Sequence, residues 1–126
     1  VKLQRLLLKA IREKLIKSAQ DVSRGGLAIA LAECSIWGNM GIDISIESEK
    51  SPEEVLFGEA QPVVIITTDA NRERYVEEYF KEVPIRKVGR VIKDRFKIKF
   101  NRNSIVDLEI SLLKNKWNSG IERWMI

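Results

Sequence analysis

From Leu27 to Trp37 the only charged residue is Glu33, and Ala28, Ala30 and Ala32 supply small side chains along the run. A helix that is apolar on every face cannot lie on a surface. Other elements must wrap it. Gly25 and Gly26 stand directly before it, and Gly38-Asn39 follows, two residue types that tolerate the left-handed conformation in which helices end. The rest of the 126 residues must therefore surround one tightly packed helix. With 44% hydrophobic and 32% charged residues the chain can do so and stay out of the disordered class. Its length predicts one domain over residues 1–126.

The flanking segments supply the wrapping. Leu3, Leu7, Ile11 and Leu15 recur every fourth position, which predicts a helix over 3–16. Ser18 to Val22 predicts a short extended segment. Ile42, Ile44 and Ile46 alternate with Asp43, Ser45 and Glu47, the pattern of a half-buried strand. Ser51 followed by Pro52, Glu53 and Glu54 caps a short helix. Val63 to Ile66 is a continuous β-branched run, expected as a central strand. Asp69 or Asn71 is the expected cap of a third helix with Tyr75, Val76, Tyr79 and Phe80 inward. Strands are expected over 85–92, where Gly89 marks a bulge or close approach, then at Phe96, Ile98 and Phe100, and over 105–108. Asn101-Arg102-Asn103 turns the chain between the last two. A final helix starts near Ser111, with Leu113, Trp117, Ile121 and Trp124 on one face. The class is α+β: a mixed, mostly antiparallel sheet covered by helices.

Composition removes several chemistries. There is no histidine, so imidazole acid–base work and His-dependent triads or zinc sites are excluded. The single cysteine, Cys34, sits in the small-residue helix, where a buried inert thiol is expected. A cytoplasmic setting is the default for such a chain. No apolar run approaches the ~18 residues of a membrane span. The first residues carry a helical pattern and no small-residue cleavage site, which reads as structure rather than a signal peptide. The absence of an initiating Met suggests a piece of something longer.

Charge is uneven. Asp43 to Glu59 holds six acids and one lysine, and Lys81 to Arg102 holds nine bases and two acids. A basic stretch of this kind can bind nucleic acid, but Phe96 and Phe100 alternate with lysines as core residues do, so no nucleic-acid partner is expected.

Two stretches carry candidate chemistry. In Ser18-Ala19-Gln20-Asp21-Val22-Ser23-Arg24-Gly25-Gly26-Leu27, paired glycines open a helix whose amino terminus favours an anion. Ser23 can cap that helix or donate to a phosphate oxygen, Arg24 adds positive charge, and Asp21 can hold a metal, a sugar hydroxyl or an arginine. An ordinary capped turn fits equally well, and the residues alone leave both open. In Leu56-Phe57-Gly58-Glu59-Ala60-Gln61-Pro62, Glu59 enters the next strand from a loop and points either into a cleft or into solvent.

The first stretch, continued through Leu27-Ala28-Ile29-Ala30-Leu31-Ala32-Glu33, resembles the Ser-Ala-His-Asp-Val-Ser-Asp-Gly-Gly-Leu-Ala-Val-Ala-Leu-Ala-Glu signature of phosphoribosylformylglycinamidine synthase, synthetase subunit. The second resembles the family's Leu-Phe-Ser-Glu-Ser-Gln. The segment from Ile85 to Val91 resembles its Ile-Gly-Arg-Val strand, and Ser111 to Trp117 its carboxyl end. Gln20 stands where the family has His, Arg24 where it has an acid, and Gly58 and Ala60 where it has serines. Asp21, Ser23, Gly25, Gly26 and Glu59 match.

The resemblance implies the carboxyl-terminal domain of an aminoimidazole ribonucleotide synthetase-like enzyme. Sister enzymes such as selenophosphate synthetase and thiamine-monophosphate kinase share that fold, and a non-catalytic scaffold is a further alternative. The implied reaction turns formylglycinamide ribonucleotide into the amidine with ATP, magnesium and glutamine-derived ammonia. Asp21, Ser23, Arg24, Gly25, Gly26 and Glu59 are the implied substrate- or phosphate-binding positions. No catalytic residue or metal ligand is assigned. The implied partners are an amino-terminal ATP-binding domain, a glutaminase subunit and a small bridging subunit. An isolated copy is expected to hold no cofactor, to lack synthase activity, and to self-associate through its uncovered docking face.

Overall fold

The computed structural model describes residues 2–22, 25–58 and 63–118. The elements, in chain order, are α1 (Lys2–Arg12), β1 (Ser18–Val22), α2 (Gly26–Gly38), β2 (Gly41–Ile46), α3 (Pro52–Phe57) and β3 (Val63–Thr67). A 3-10 turn (Ala70–Arg72) leads to α4 (Glu73–Tyr79), β4 (Gly89–Ile92), β5 (Arg95–Phe100), β6 (Asn103–Glu109) and α5 (Ile110–Asn118). The chain is α+β, and it forms two compact units. One takes residues up to 21 together with 63–87, and the other takes 22–62 with the rest from 88 onward.

In the first unit β1 pairs with β3 in a two-stranded sheet. Such a sheet is marginal by itself and needs an apolar cover. Ala10, Ile16, Val76 and Phe80 form that core, with Leu6, Leu7, Leu15, Ile66, Tyr79 and Val83 packed against it. Tyr79 keeps its hydroxyl satisfied by donating to the Leu6 carbonyl at 2.7 Å, and its ring meets Phe80 edge-on at 4.8 Å.

Five expectations fail here. The first helix ends at Arg12 and not near residue 16. Lys14 adopts φ 59°, its amide donates to the Ile11 carbonyl, and the Leu15 amide reaches back to the Ala10 carbonyl. This is a Schellman closure with Lys where Gly is usual, so the sequence carries no stop signal. The Lys14 and Leu15 carbonyls it frees accept from Arg72 Nη1 (2.7 Å) and Thr68 Oγ1 (2.8 Å). Second, Ile11 points outward, and the stripe that faces the core is buried Ala10 with half-buried Leu6 and Leu7. Third, β3 is not a central strand: its one strand neighbour among the described residues is β1. Continuous apolar runs do not specify how many neighbours a strand will have. Fourth, Tyr75 is 70% exposed rather than inward. Fifth, neither Asp69 nor Asn71 caps a helix with its side chain; Asp69 pairs with Lys17 at 2.8 Å, and a 3-10 turn begins the helical segment.

Replacing Lys14 with Gly should relieve the left-handed strain and raise stability by about 1 kcal/mol. A higher urea midpoint with unchanged m-value is the expected reading, and an unchanged or lowered midpoint counts against this account of the helix end.

The second unit is built on a four-stranded sheet in the order β4-β2-β5-β6. β2 runs antiparallel to β4 and parallel to β5, and β5 is antiparallel to β6. The sheet is therefore mixed and mostly antiparallel. Residues 85–88 lie outside the strand, and β4 is shorter than its sequence pattern suggests. Gly89 is a close approach: a Cβ there would sit 2.0 Å from the Asp43 carbonyl oxygen. The β5–β6 turn places Asn101 and Arg102 at φ 49° and 71°, the two left-handed positions of a tight hairpin.

The register sorts the sheet into two faces. Ile42, Ile44, Ile46, Phe96, Ile98 and Phe100 are all buried on one. On the other, Arg90 lies opposite Asp43, Asp43 opposite Lys97, and Lys97 opposite Asp107, so charge alternates across all four strands. Arg95 adds a 2.7 Å contact to Asp107. Acids thus stand opposite bases along this face, and the rings of Phe96 and Phe100 are in the core, away from any stacking partner.

Helix α2 behaves as its composition demands. Ala28, Ile29, Ala30, Leu31, Ala32 and Ser35 are buried, and the helix packs against α3 and α5. Asn39 takes φ 53°, and its amide and that of Met40 close the last turn onto Ile36 and Ser35. On α5 Leu113 is buried and Trp117 half-buried; Ile121 and Trp124 lie outside the described residues.

Candidate functional site

The two stretches singled out in the sequence meet in the second unit. Gly25 and Gly26 both adopt left-handed backbone, at φ 85° and 78°. Gly25 caps α2 with no side-chain hydrogen bond. A Cβ on Gly26 would lie 2.7 Å from both the Phe57 Cα and carbonyl carbon, and 2.8 Å from the Leu56 carbonyl oxygen. The start of α2 is therefore seated directly on the last turn of α3, backbone to backbone. Only glycine leaves room for that approach.

Helix α3 is held at both ends. Ser51 Oγ accepts from the Glu54 amide at 3.2 Å, Pro52 takes the first helical position, and Leu56 is 1% exposed. The Gly58 amide donates to the Glu54 carbonyl at 3.1 Å, and Gly58 itself is extended. The cap predicted at Ser51 is the one observed.

Of the six candidate positions, the structure describes three. Gly26 is buried, Gly25 half-buried, and Asp21 exposed near the end of β1. Ser23, Arg24 and Glu59 lie outside the described residues. Of the three described, Gly26 is brought against the Leu56-Phe57 backbone, and Gly25 lies over the Ile29 side chain. This role for the Leu56-Phe57 backbone escaped the sequence reading, because a backbone contact leaves no residue-type signature. Two shallow depressions lie elsewhere. One, in the second unit, is lined by Glu47, Ser48, Glu49, Asn101 and Arg102, and the other, in the first, by residues of 70–78. Neither is lined by Asp21, Gly25 or Gly26.

Among the described residues no group of three or more acidic or cysteine side chains converges on a point that would hold a metal ion. No helix among them is long and apolar enough to cross a membrane.

Cys34 is half-buried. Burial pushes its thiol above the ordinary range, and the neighbouring Glu33 carboxylate adds to the shift. A thiol raised in this way favours the folded state while protonated. Its contribution is complete below the unfolded thiol's pKa and disappears as pH rises through the folded one. Alkylation of Cys34 at pH 8 should be slower in the native chain than in urea; equal rates would place the thiol in open water.

Comparison with known proteins adds three findings. The family model described as AIR synthase related protein, C-terminal domain, matches residues 1–101. The phosphoribosylformylglycinamidine synthase subunit PurL of Thermoanaerobacter sp. (strain X514) is 37% identical over 126 residues, which is 96% of this chain and 17% of that protein. The chain thus spans about a sixth of the length of that relative. Two solved structures share the fold at low identity. Thermotoga maritima PurL complexed with ATP superposes with a TM-score of 0.74 and 22% identity, over 86% of this chain and 20% of that one. The structure of PurLQS from Thermotoga maritima gives 0.72 and 21% over the same shares.

Proposed function

Because the chain belongs to the AIR synthase related protein, C-terminal domain, family, we propose that it is the carboxyl-terminal domain of a phosphoribosylformylglycinamidine synthase. The observation that carries this reading is 37% identity to a PurL subunit across 96% of the chain. The two compact units then count as one domain, a reading supported by a family match that runs through both.

In the proposed reaction, ATP activates the amide oxygen of formylglycinamide ribonucleotide as a phosphate ester, and ammonia displaces the phosphate. This chain's share is one wall of the cleft. The amino terminus of α2 carries the positive end of a 13-residue helix, suited to an anionic group. Ser23 and Arg24 precede it in sequence and add a hydroxyl donor and a cation. Asp21 and Glu59 are assigned to orienting a donor or to a magnesium ion bound with ATP. No described side chain has the pairing of base and nucleophile needed to carry the chemistry alone.

The proposed partners are an amino-terminal ATP-binding domain in the same polypeptide and, by likeness to the PurLQS assembly, glutaminase and small bridging subunits. The proposed setting is the cytoplasm. Exposed Leu8 and Ile11 in one unit, and Trp37 and Met40 in the other, are consistent with faces that a neighbouring domain covers.

The isolated chain should therefore form no amidine from formylglycinamide ribonucleotide, ATP and ammonia, and its sedimentation should show association that grows with concentration. Turnover above background would overturn the assignment of chemistry to the missing domain. A monomer at every concentration would remove the self-association.

A further inference from the structure

We propose that the outward face of α1 in one copy of this chain docks on the acidic segment 49–54 of a second copy. This rests on the self-association proposed above, not on the synthase reaction, and it names the two surfaces that meet. Helix α1 carries Lys2, Arg5, Lys9 and Arg12 and no acid. Leu8 lies three residues after Arg5, three before Ile11 and four before Arg12, so these four side chains share one face. All four are exposed, Leu8 by 55% and Ile11 by 48%. Neither Arg5 nor Arg12 has an acidic partner among the described residues. A helix that shows two large apolar side chains between unpaired bases fits an acidic protein surface. A membrane would take such a helix by its broad apolar stripe, and here that stripe, Leu6, Leu7 and Ala10, packs in the helix's own core.

The chain itself carries the complement. Glu49, Glu53 and Glu54 are exposed, with Lys50 the one base between them. None of the three has a basic partner among the described residues, whereas nearby Glu47 lies 3.9 Å from Arg102. Half-buried Val55 and Phe57 follow on the same helix and supply apolar surface. The segment is held in shape from both sides. Ser51 caps α3, and the Asn101 side chain clasps Ser48, accepting from its amide and donating to its carbonyl, each at 3.0 Å. Acids presented from a fixed backbone lose less freedom on pairing. Because the two surfaces differ, the contact is head to tail. Exposed ion pairs each contribute little, so the association is weak and salt screens it.

Sedimentation equilibrium of the chain, with circular dichroism to check the fold, is the test. The association constant should fall about tenfold or more between ~0.02 M and ~0.5 M salt, as the screening length shortens from about 20 Å to about 4 Å. Arg5→Glu with Arg12→Glu should abolish association at low salt, and so should Glu49→Lys with Glu53→Lys. Mixing these two variants should restore it, because each then meets opposite charge on the other. Arg74→Glu with Lys99→Glu changes two exposed residues elsewhere and shifts net charge as much as the α1 pair; it should leave association within twofold. If a reversal unfolds the chain, the salt series of the parent decides. Association that ignores both salt and the reversals refutes this docking and leaves self-association to exposed Trp37 and Met40. A monomer at every concentration and salt refutes both. Binding of the parent to phosphatidylserine vesicles without self-association would assign the α1 face to lipid and overturn the proposal.

Discussion

Gly26→Ala should destabilise the chain by about 3 kcal/mol or more. Two effects add. An alanine held at φ 78° carries left-handed strain of roughly 1–2 kcal/mol. The new methyl also meets Phe57 backbone atoms at 2.7 Å, and overpacking of this kind costs about 1–3 kcal/mol. Backbone cannot swing aside as a long side chain can, so α3 itself must move and carry buried Leu56 with it. Urea unfolding followed by circular dichroism measures the loss. Gly38→Ala is the control, because nothing lies within 4 Å of its missing Cβ; it should leave stability within about 0.5 kcal/mol or raise it slightly. Equal, small effects at the two positions would show that α2 is not seated on α3.

Phe96→Ala should cost about 3–5 kcal/mol, a large share of the roughly 5–15 kcal/mol that an ordinary domain has. Phe96 is fully buried in β5, facing Ile42 on one neighbouring strand and Leu108 on the other. Removing the ring opens a cavity where two strand pairings meet, and main-chain hydrogen bonds on both sides limit its collapse. Lys99→Ala, in the same strand and exposed on the opposite face, should stay within about 0.5 kcal/mol. A midpoint for Phe96→Ala close to the parent's would contradict the assignment of this face as the core of the second unit.

Much of this fold was legible beforehand because it is local. The alternation in β2 and β5 fixes which side chains face inward, whatever the neighbours are. The Ser51-Pro52-Glu53-Glu54 cap and the left-handed Asn39 end need only a few residues of context. The buried α2 followed from its lack of a polar face. The misreadings of Ile11 and Tyr75 share one cause. Ile11 has the same apolar character as Leu7, yet it is solvent-exposed, because the stripe that meets α4 and β3 runs through Leu6, Leu7 and Ala10. Tyr75 sits at helical spacing from Tyr79, but Tyr79 turns its hydroxyl to the Leu6 carbonyl while Tyr75 stays in water. Periodicity identifies an amphipathic element; it does not choose between two neighbouring stripes.

The candidate site divides in the same way. Residue order and type by themselves established the paired-glycine motif, the second motif downstream, the absence of histidine chemistry and the α+β class. Each of these depends on neighbours in the chain or on plain composition. Tertiary structure alone decided that α1 stops at Arg12, that β3 takes β1 as its strand neighbour, and that Gly26 lies on the Phe57 backbone. The β3–β1 pairing and the seat of Gly26 are main-chain contacts between distant segments, and the end of α1 is a main-chain closure at a lysine whose freed carbonyls are taken by Arg72 and Thr68. Every residue but proline carries the same amide and carbonyl, so such contacts leave no mark in the order of side chains.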